Sequence, residues 1–452
     1  MNYKNKIIFF LLILVSLQAY SQEAWSLDDC VAYAIEHNLD LNDFKYNRDS
    51  GKETYRQSIR NLLPSINASS DYNIRYGRSV DPNDNSFVNT DFFSNSYSLN
   101  SSVDLFQGFQ KLNSIKASKF LFKATQEEVL QQKYLLAFRV MSAFYDIQFM
   151  EGLLTISKEQ EEVSQNNYDL VKRQVELGQK AGADLYEAES ALLADKLLVT
   201  QSENNLAAAN LSLIQEMNLA GTSLITIKTN EIGTIDKNEV SVRNQDSIYN
   251  KATQFVPIIK AQELRAKAAK KEVAVARGDL YPSLSFFAGY GTGYFETNTN
   301  PDTGGIIPFR TQIKDNASQF VGLSLSIPIS NGWSARSRVK QQKVALKRAD
   351  NNLNVQKQEL YQLIQQLVQE GSALTSEVQQ SAQRMKAQGL SFKIAQKRYE
   401  KGLINAIELY QAKNLLANAQ NENLQVRLRL KVNESTLDFY RGLPVFNINR
   451  AY

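Results

Sequence analysis

The sequence predicts a mainly α-helical protein with a β portion, organised as a duplicated helix–β-hairpin–long helix–helix repeat. Three observations carry this. Residues 111–177 form a polar, periodic, proline-free stretch with one interior glycine, Gly152, and Gly108 and Gly178 flank it 70 residues apart. Gly332 and Gly402 bracket a second such stretch, again 70 residues apart, at an offset of 224 from the first. Strict alternation of apolar and polar residues precedes each stretch, the period of a strand with two different faces.

Composition narrows the function classes. The chain has 452 residues with 20 glycines and only 8 prolines, which excludes a linker-rich or disordered protein. Its formal net charge is +4, and without Lys4 and Lys6 it is +2; no basic block marks a nucleic-acid partner. One cysteine, Cys30, rules out an intramolecular disulfide framework. One histidine, His37, leaves little for a histidine metal site or a histidine-dependent triad, and it is expected on a helix surface.

Lys4 and Lys6 precede the apolar run Ile7 to Leu17, too short for the roughly 20 residues a membrane span needs. With Ala19-Tyr20-Ser21 following, residues 1–21 read as a signal peptide cleaved before Gln22. Acidic Asp28 and Asp29 beside Cys30 do not suit a lipidation site, so a buried helical thiol is expected.

The mature chain begins with a helix. Ser26 and Asp29 make a capping-box pattern, and the helix is expected to run to Asn61, stopped by Pro64. Strands follow at about 66–77 and 95–106, separated by a polar loop. Ile66, Ala68, Tyr72 and Ile74 alternate with Asn67, Ser69, Asp71 and Asn73. Such a hairpin fits a membrane β-barrel and equally a half-buried soluble sheet. The long helix of about 109–177 would be a rod of roughly 100 Å. A break at 178–183 precedes a return helix, 184–219, and 221–243 form a connector.

The cycle then repeats. A helix from about Asp246 is expected to end before Pro282, which matches Pro64 at an offset of 218, and Cys30 aligns with Ile248. Strands follow at about 284–295 and 319–329. A long helix covers about 333–401, interrupted by Gly371 and Gly389, and a return helix covers 407–440. The domain reading is therefore a first repeat at 22–220, the 221–243 connector, a second repeat at 244–443 and a tail at 444–452. Two short helices laid end to end match one rod, so the helices suit the wall of a tall cylinder. Four twisted strands cannot close a barrel and would leave open edges. Several subunits must pool their strands, and three would supply twelve, an even count typical of membrane barrels.

The chain resembles the TolC-type outer-membrane efflux proteins over nearly all of residues 25–443. Trp25-Ser26-Leu27, Leu63-Pro64-Ser65, Tyr281-Pro282-Ser283, Leu105-Phe106-Gln107-Gly108 and Pro328-Ile329-Ser330-Asn331-Gly332 carry the resemblance. So do the paired turns Val175-Glu176-Leu177-Gly178 to Asp184-Leu185-Tyr186 and Tyr399-Glu400-Lys401-Gly402 to Glu408-Leu409-Tyr410. The resemblance implies a homotrimer whose twelve-stranded β-barrel crosses the outer membrane of a Gram-negative bacterium, in contact with its lipid. An α-helical barrel would continue it through the periplasm. The turns, with Gly178, Leu185, Tyr186, Gly402, Leu409 and Tyr410, would dock on a periplasmic adaptor of a tripartite pump or a type I secretion system. An inner-membrane RND or ABC transporter would supply the energy, and no cofactor is implied.

In that family, acidic residues just beyond the turn glycines narrow the tunnel entrance. Glu408 matches the first such position of the second turn, Gln411 stands where the second acid would be, and Asp184 matches in the first turn. Three copies of Glu408 would set a ring of about three negative charges favouring cations. Both carboxylates also read as ordinary first-turn acids complementing a helix dipole. Phe106, Phe109 and Trp333 read either as interfacial aromatics or as junction filling. The expected function is a passive export duct without enzymatic chemistry; a soluble coiled-coil scaffold and a periplasmic enzyme are the competing classes, the latter lacking any nucleophile–base constellation.

Overall fold

The computed structural model describes residues 24–80, 85–89, 91–222, 224–228, 244–446 and 448. The expected signal peptide, most of the connector and the end of the tail lie outside these residues.

The elements in order are α1 (Leu27–His37), α2 (Leu39–Arg60), β1 (Ser65–Arg75), β2 (Arg78–Val80), β3 (Phe87–Asn89), β4 (Phe92–Gln107), α3 (Gln110–Glu176) and α4 (Gly182–Met217). The second repeat follows with α5 (Gln245–Phe255), α6 (Pro257–Gly278), β5 (Ser283–Phe295), α7 (Phe309–Asp315), β6 (Ser318–Ser326), α8 (Ser334–Glu400) and α9 (Ala406–Tyr440). Both long helices have 67 residues, about 100 Å each.

Three expectations are corrected. The opening helix is broken at Asn38, whose backbone is extended. Its buried side chain caps the start of α2, where Oδ1 accepts from the Leu41 N–H at 3.0 Å, and ties the break to α4, where Nδ2 donates to the Glu216 carbonyl at 3.2 Å. The helix expected from Asp246 is broken at Val256, because Pro257 has no N–H to donate and pushes the residue before it out of helical geometry. The two breaks lie 218 positions apart, so the duplication reaches this detail by different chemistry. The third correction concerns α8, which runs without interruption through Gly371 and Gly389. Two short elements fall where polar loops were expected: the β2–β3 hairpin and α7.

The chain divides into two compact units. One comprises Tyr46–Glu127 and Lys260–Gln356. Its centre is a four-stranded sheet in the order β1-β4-β5-β6, antiparallel throughout, with β1 and β6 as its edges. Directly paired residues share a face, so the register sorts the side chains. One face carries Ile66, Tyr72, Leu99, Phe286, Val321 and Leu323 among others. The other carries a lattice of serine, asparagine and glycine: Ser69 and Ser98 hydroxyls meet at 2.8 Å, and Ser285 donates to Asp104 at 2.8 Å.

Each strand-to-helix junction turns on a glycine in the left-handed region followed by an aromatic residue in the same region. These are Gly108 (φ 55°) with Phe109 (φ 63°), and Gly332 (φ 58°) with Trp333 (φ 64°). An L-residue there costs roughly 1–2 kcal/mol. Both aromatics are exposed, and Arg336 lies 4.4 Å from the Trp333 ring centre.

The second unit comprises the described part of Met1–Lys45 with Glu128–Ile259 and Lys357–Tyr452. Its main core joins α1, the middle of α3, the end of α4 and the segment 224–228. Cys30, Ala34, Leu136, Val140, Ile147, Leu213, Met217 and Ile227 are all buried in it. The Ser26–Asp29 capping box is present, and Trp25 pairs with Ile227 as a parallel bridge. Burial pushes the Cys30 thiol up to about 12, with Asp29 adding to the shift. His37 is exposed, its ring stacked on Tyr33 at 4.0 Å. Among the described residues no helix is long and apolar enough to cross a membrane.

Candidate functional site

Both helix-to-helix turns lie in the second unit and share one construction. At the end of α3, Gly178 has φ 71°, its N–H donates to the Val175 carbonyl at 2.9 Å, and the Gln179 N–H donates to the Gln174 carbonyl at 2.8 Å. At the end of α8, Gly402 has φ 70°, with the same bonds from Gly402 to Tyr399 and from Leu403 to Arg398, both 2.9 Å. This double bond around a left-handed glycine satisfies the last carbonyls of a helix and reverses the chain.

The return helices then start differently. In the first turn the Asp184 carboxylate accepts from the Ala181 N–H at 3.1 Å and so caps α4. In the second, Asn405 does the capping: its Oδ1 accepts from the Glu408 N–H at 2.9 Å. The Glu408 side chain is left exposed, as is Gln411 beside it. Of the two acids singled out from sequence, Asp184 is occupied with its own helix and Glu408 faces solvent.

The matched pairs of docking candidates also differ. Tyr186 is 72 % exposed and Leu185 half-buried, whereas Leu409 is buried and Tyr410 half-buried. The Tyr410 hydroxyl accepts from Asn167 Nδ2 at 2.6 Å, and burial holds its pKa above the usual tyrosine value. The two turns meet through Lys180, whose Nζ lies 3.4 Å from the Tyr399 hydroxyl and 5.2 Å from its ring centre.

Behind the turns sits a buried charged cluster that the sequence reading missed. Ser164 of α3, Asp195 of α4 and Lys413 of α9 are 0 %, 7 % and 5 % exposed. Lys413 is ion-paired with Asp195 and donates to Ser164 Oγ at 2.8 Å, while Ser164 donates to Asp195 at 2.5 Å. The Tyr410 ring centre lies 5.5 Å from the ammonium. One neutralised triad thus ties three helices together. Its members look like surface residues in sequence, and only Lys413 four positions after Leu409, on the buried stripe of α9, could have hinted at it.

Comparison with known proteins places this geometry in a family. The family model described as "Outer membrane efflux protein" matches residues 31–219 and 248–443, one segment for each repeat. The chain is 22 % identical to the outer membrane protein TolC of Vibrio cholerae over 349 residues, 76 % of this chain and 74 % of that protein. It is 22 % identical to the probable efflux pump outer membrane protein TtgC of Pseudomonas putida over 424 residues, 92 % of this chain and 82 % of that one. The CmeC outer membrane channel of Campylobacter jejuni has the same fold, with a TM-score of 0.76 at 15 % identity over 94 % of this chain and 87 % of that chain. The outer membrane protein VceC of Vibrio cholerae has it too, with a TM-score of 0.73 at 14 % identity over 92 % and 96 % of the two chains. The chain belongs to the outer membrane efflux protein family and has its place in the outer membrane.

Proposed function

We propose that this chain is the outer-membrane exit duct of a tripartite efflux pump. Three copies pool their sheets into a twelve-stranded barrel, and the helices of the two repeats, 22–220 and 244–443, continue it as a helical tunnel into the periplasm. A periplasmic adaptor seats on the turns around Gly178 and Gly402, with Tyr186 as its exposed contact and Leu185, Leu409 and Tyr410 beneath. An inner-membrane transporter supplies the energy, so the duct itself performs no covalent step and needs no cofactor.

The observation that carries this reading is the uncovered apolar face of the sheet. Ile66 is 67 % exposed, Tyr72 68 %, Val321 76 % and Leu323 63 %, all on the same face. Burying one such side chain is worth about 1.5–3 kcal/mol. A sheet that leaves a whole face of them in water would be unstable and sticky; lipid against that face removes the cost. The two open edges, β1 and β6, then need partners, because unpaired backbone groups cannot stay in hydrocarbon. Pairing β1 of one copy with β6 of the next satisfies both.

In this duct the tunnel entrance is set by Glu408 with Asp184 near it, and Gln411 in place of an acid makes the charge ring weaker. Opening requires the hairpins around 170–190 and 394–414 to separate. The edge pairing is tested by a cysteine scan along β1 against a fixed cysteine at Val321, in a Cys30→Ser background. The proposal expects inter-copy crosslinks at one register with a two-residue period. Absence of crosslinks at every register would overturn it.

A further inference from the structure

The polar face of the sheet carries one feature that its pattern does not require. From the Asp71–Ser96–Gly293 row down to the Gln107–Ser283–Ser326 row, its side chains are serine, asparagine, glutamine, aspartate and glycine, with two exceptions: Phe287 and Phe320. The two are diagonal neighbours. Phe287 pairs with Gly322, Phe320 pairs with Gly289, and the ring centres are 6.1 Å apart at 56°. Each ring lies over the glycine of the other strand, in the space where a Cβ would sit. The glycines let the rings reach across the strands and form a tilted aromatic pair, and the rings remain 36 % and 51 % exposed. The charges on this face are Asp71, Asp104, which is ion-paired with Lys111 at 3.0 Å, and, at its far end, Arg75, whose guanidinium lies 5.9 Å from the Phe92 ring centre.

We propose that Phe287 and Phe320 form a contact site for flat organic cations passing through the duct. This rests on the duct reading, in which the polar face lines the lumen and the three copies set six rings at one level. The negative face of an aromatic ring attracts a cation, a flat ring system stacks on either ring, and Asp71 on the same face adds a negative charge. Aliphatic cations of equal charge lack the stacking surface and pass with less delay. The site thus grades solutes by shape as well as charge, within a lumen that is otherwise hydroxyl and amide.

The test is single-channel recording of the purified protein in planar bilayers, with ethidium as the flat cation and tetraethylammonium as the aliphatic one. The wild type is expected to show ethidium blockades that outlast those of tetraethylammonium. In the F287L/F320L variant, which keeps apolar cover over both glycines, the ethidium residence time is expected to fall about tenfold, equivalent to about 1.4 kcal/mol. Tetraethylammonium blockades and open conductance should change little. An ethidium residence time that stays at the wild-type value in the variant overturns the contact site while leaving the duct intact. A wild type that conducts no ions overturns the duct reading, and the inference with it.

Discussion

Lys413 offers a measurable test of how the helical hairpins are held together. The pair with Asp195 is almost wholly buried, and Ser164 supplies the remaining hydrogen bonds. In Lys413→Ala the carboxylate of Asp195 keeps one hydroxyl partner and loses its counter-charge inside the helix packing. Breaking a buried pair from one side costs about 3–5 kcal/mol. The cost falls on the local opening of α9 away from α3 and α4. At about 1.4 kcal/mol per factor of ten, amide exchange over residues 409–417 should quicken by roughly a hundredfold to a few thousandfold. The paired replacement D195L/K413M removes both charges and fills the volume, and such swaps are often neutral or stabilising by about 1–4 kcal/mol. Exchange in the double variant should therefore return to within about tenfold of wild type. If Lys413→Ala leaves exchange unchanged, or if the double variant is as loose as the single one, the triad is not what ties the three helices.

Further outcomes follow from single contacts. Gly152→Ala should destabilise the α3–α9 packing by up to about 2 kcal/mol, because the new methyl meets Leu424, whose displacement costs about 1–3 kcal/mol against about 1 kcal/mol gained in helix propensity. Gly389→Ala should be neutral or stabilising by up to about 1 kcal/mol, since its Cβ would meet only Leu416 at 3.8 Å; denaturant titration of the two variants separates them. Cys30 should resist thiol reagents at neutral pH until the unit unfolds. Its folded pKa of about 12 lies above the ordinary value of 9.0, so its contribution to stability is complete below pH 9 and is lost as pH rises toward 12. A long reducible bifunctional thiol crosslinker joining cysteines at 180 and 399, in a Cys30→Ser background, should pin the turns and abolish export until reduced; export that persists would show that the turns need not part. Gln411→Glu should raise the cation preference of the channel in reversal-potential measurements, and Glu408→Gln should lower it.

Much of the architecture was legible in sequence because its signals are periodic and repeated. Alternation of serine and asparagine with aliphatic and aromatic residues identified the four strands of the main sheet, and paired glycines 70 residues apart marked both rods. The break at Asn38 was hidden because asparagine is only a mild helix breaker; here it caps α2 through the Leu41 N–H and is also bonded to Glu216, 178 positions away. Pro257 was in plain view, and the apolar periodicity running through it masked its meaning. Gly371 and Gly389 gave the opposite error, since a glycine weakens a helix by about 1 kcal/mol, less than the packing along α8 returns.

The site was legible in part for the same physical reasons. The turn glycines announce themselves through the conformation they must adopt. Which acid caps its helix and which faces solvent depended on Asn405 taking the capping role in only one of the two turns. The Ser164–Asp195–Lys413 triad was invisible because its members come together across 31, 218 and 249 positions. Tyr186 and Tyr410, equivalent in the two repeats, differ in burial: Tyr410 is half-buried with its hydroxyl bonded to Asn167, and Tyr186 is exposed.

The central claim is that four strands per chain close a barrel only as a trimer in the outer membrane. Heat-modifiable gel mobility of the detergent-extracted outer-membrane fraction, combined with chemical crosslinking, tests it directly. The account predicts a band at three times the mass of the mature chain, found in that fraction, which collapses to the monomer on boiling. A soluble monomer would contradict it, and the apolar face of the sheet would then need a different cover.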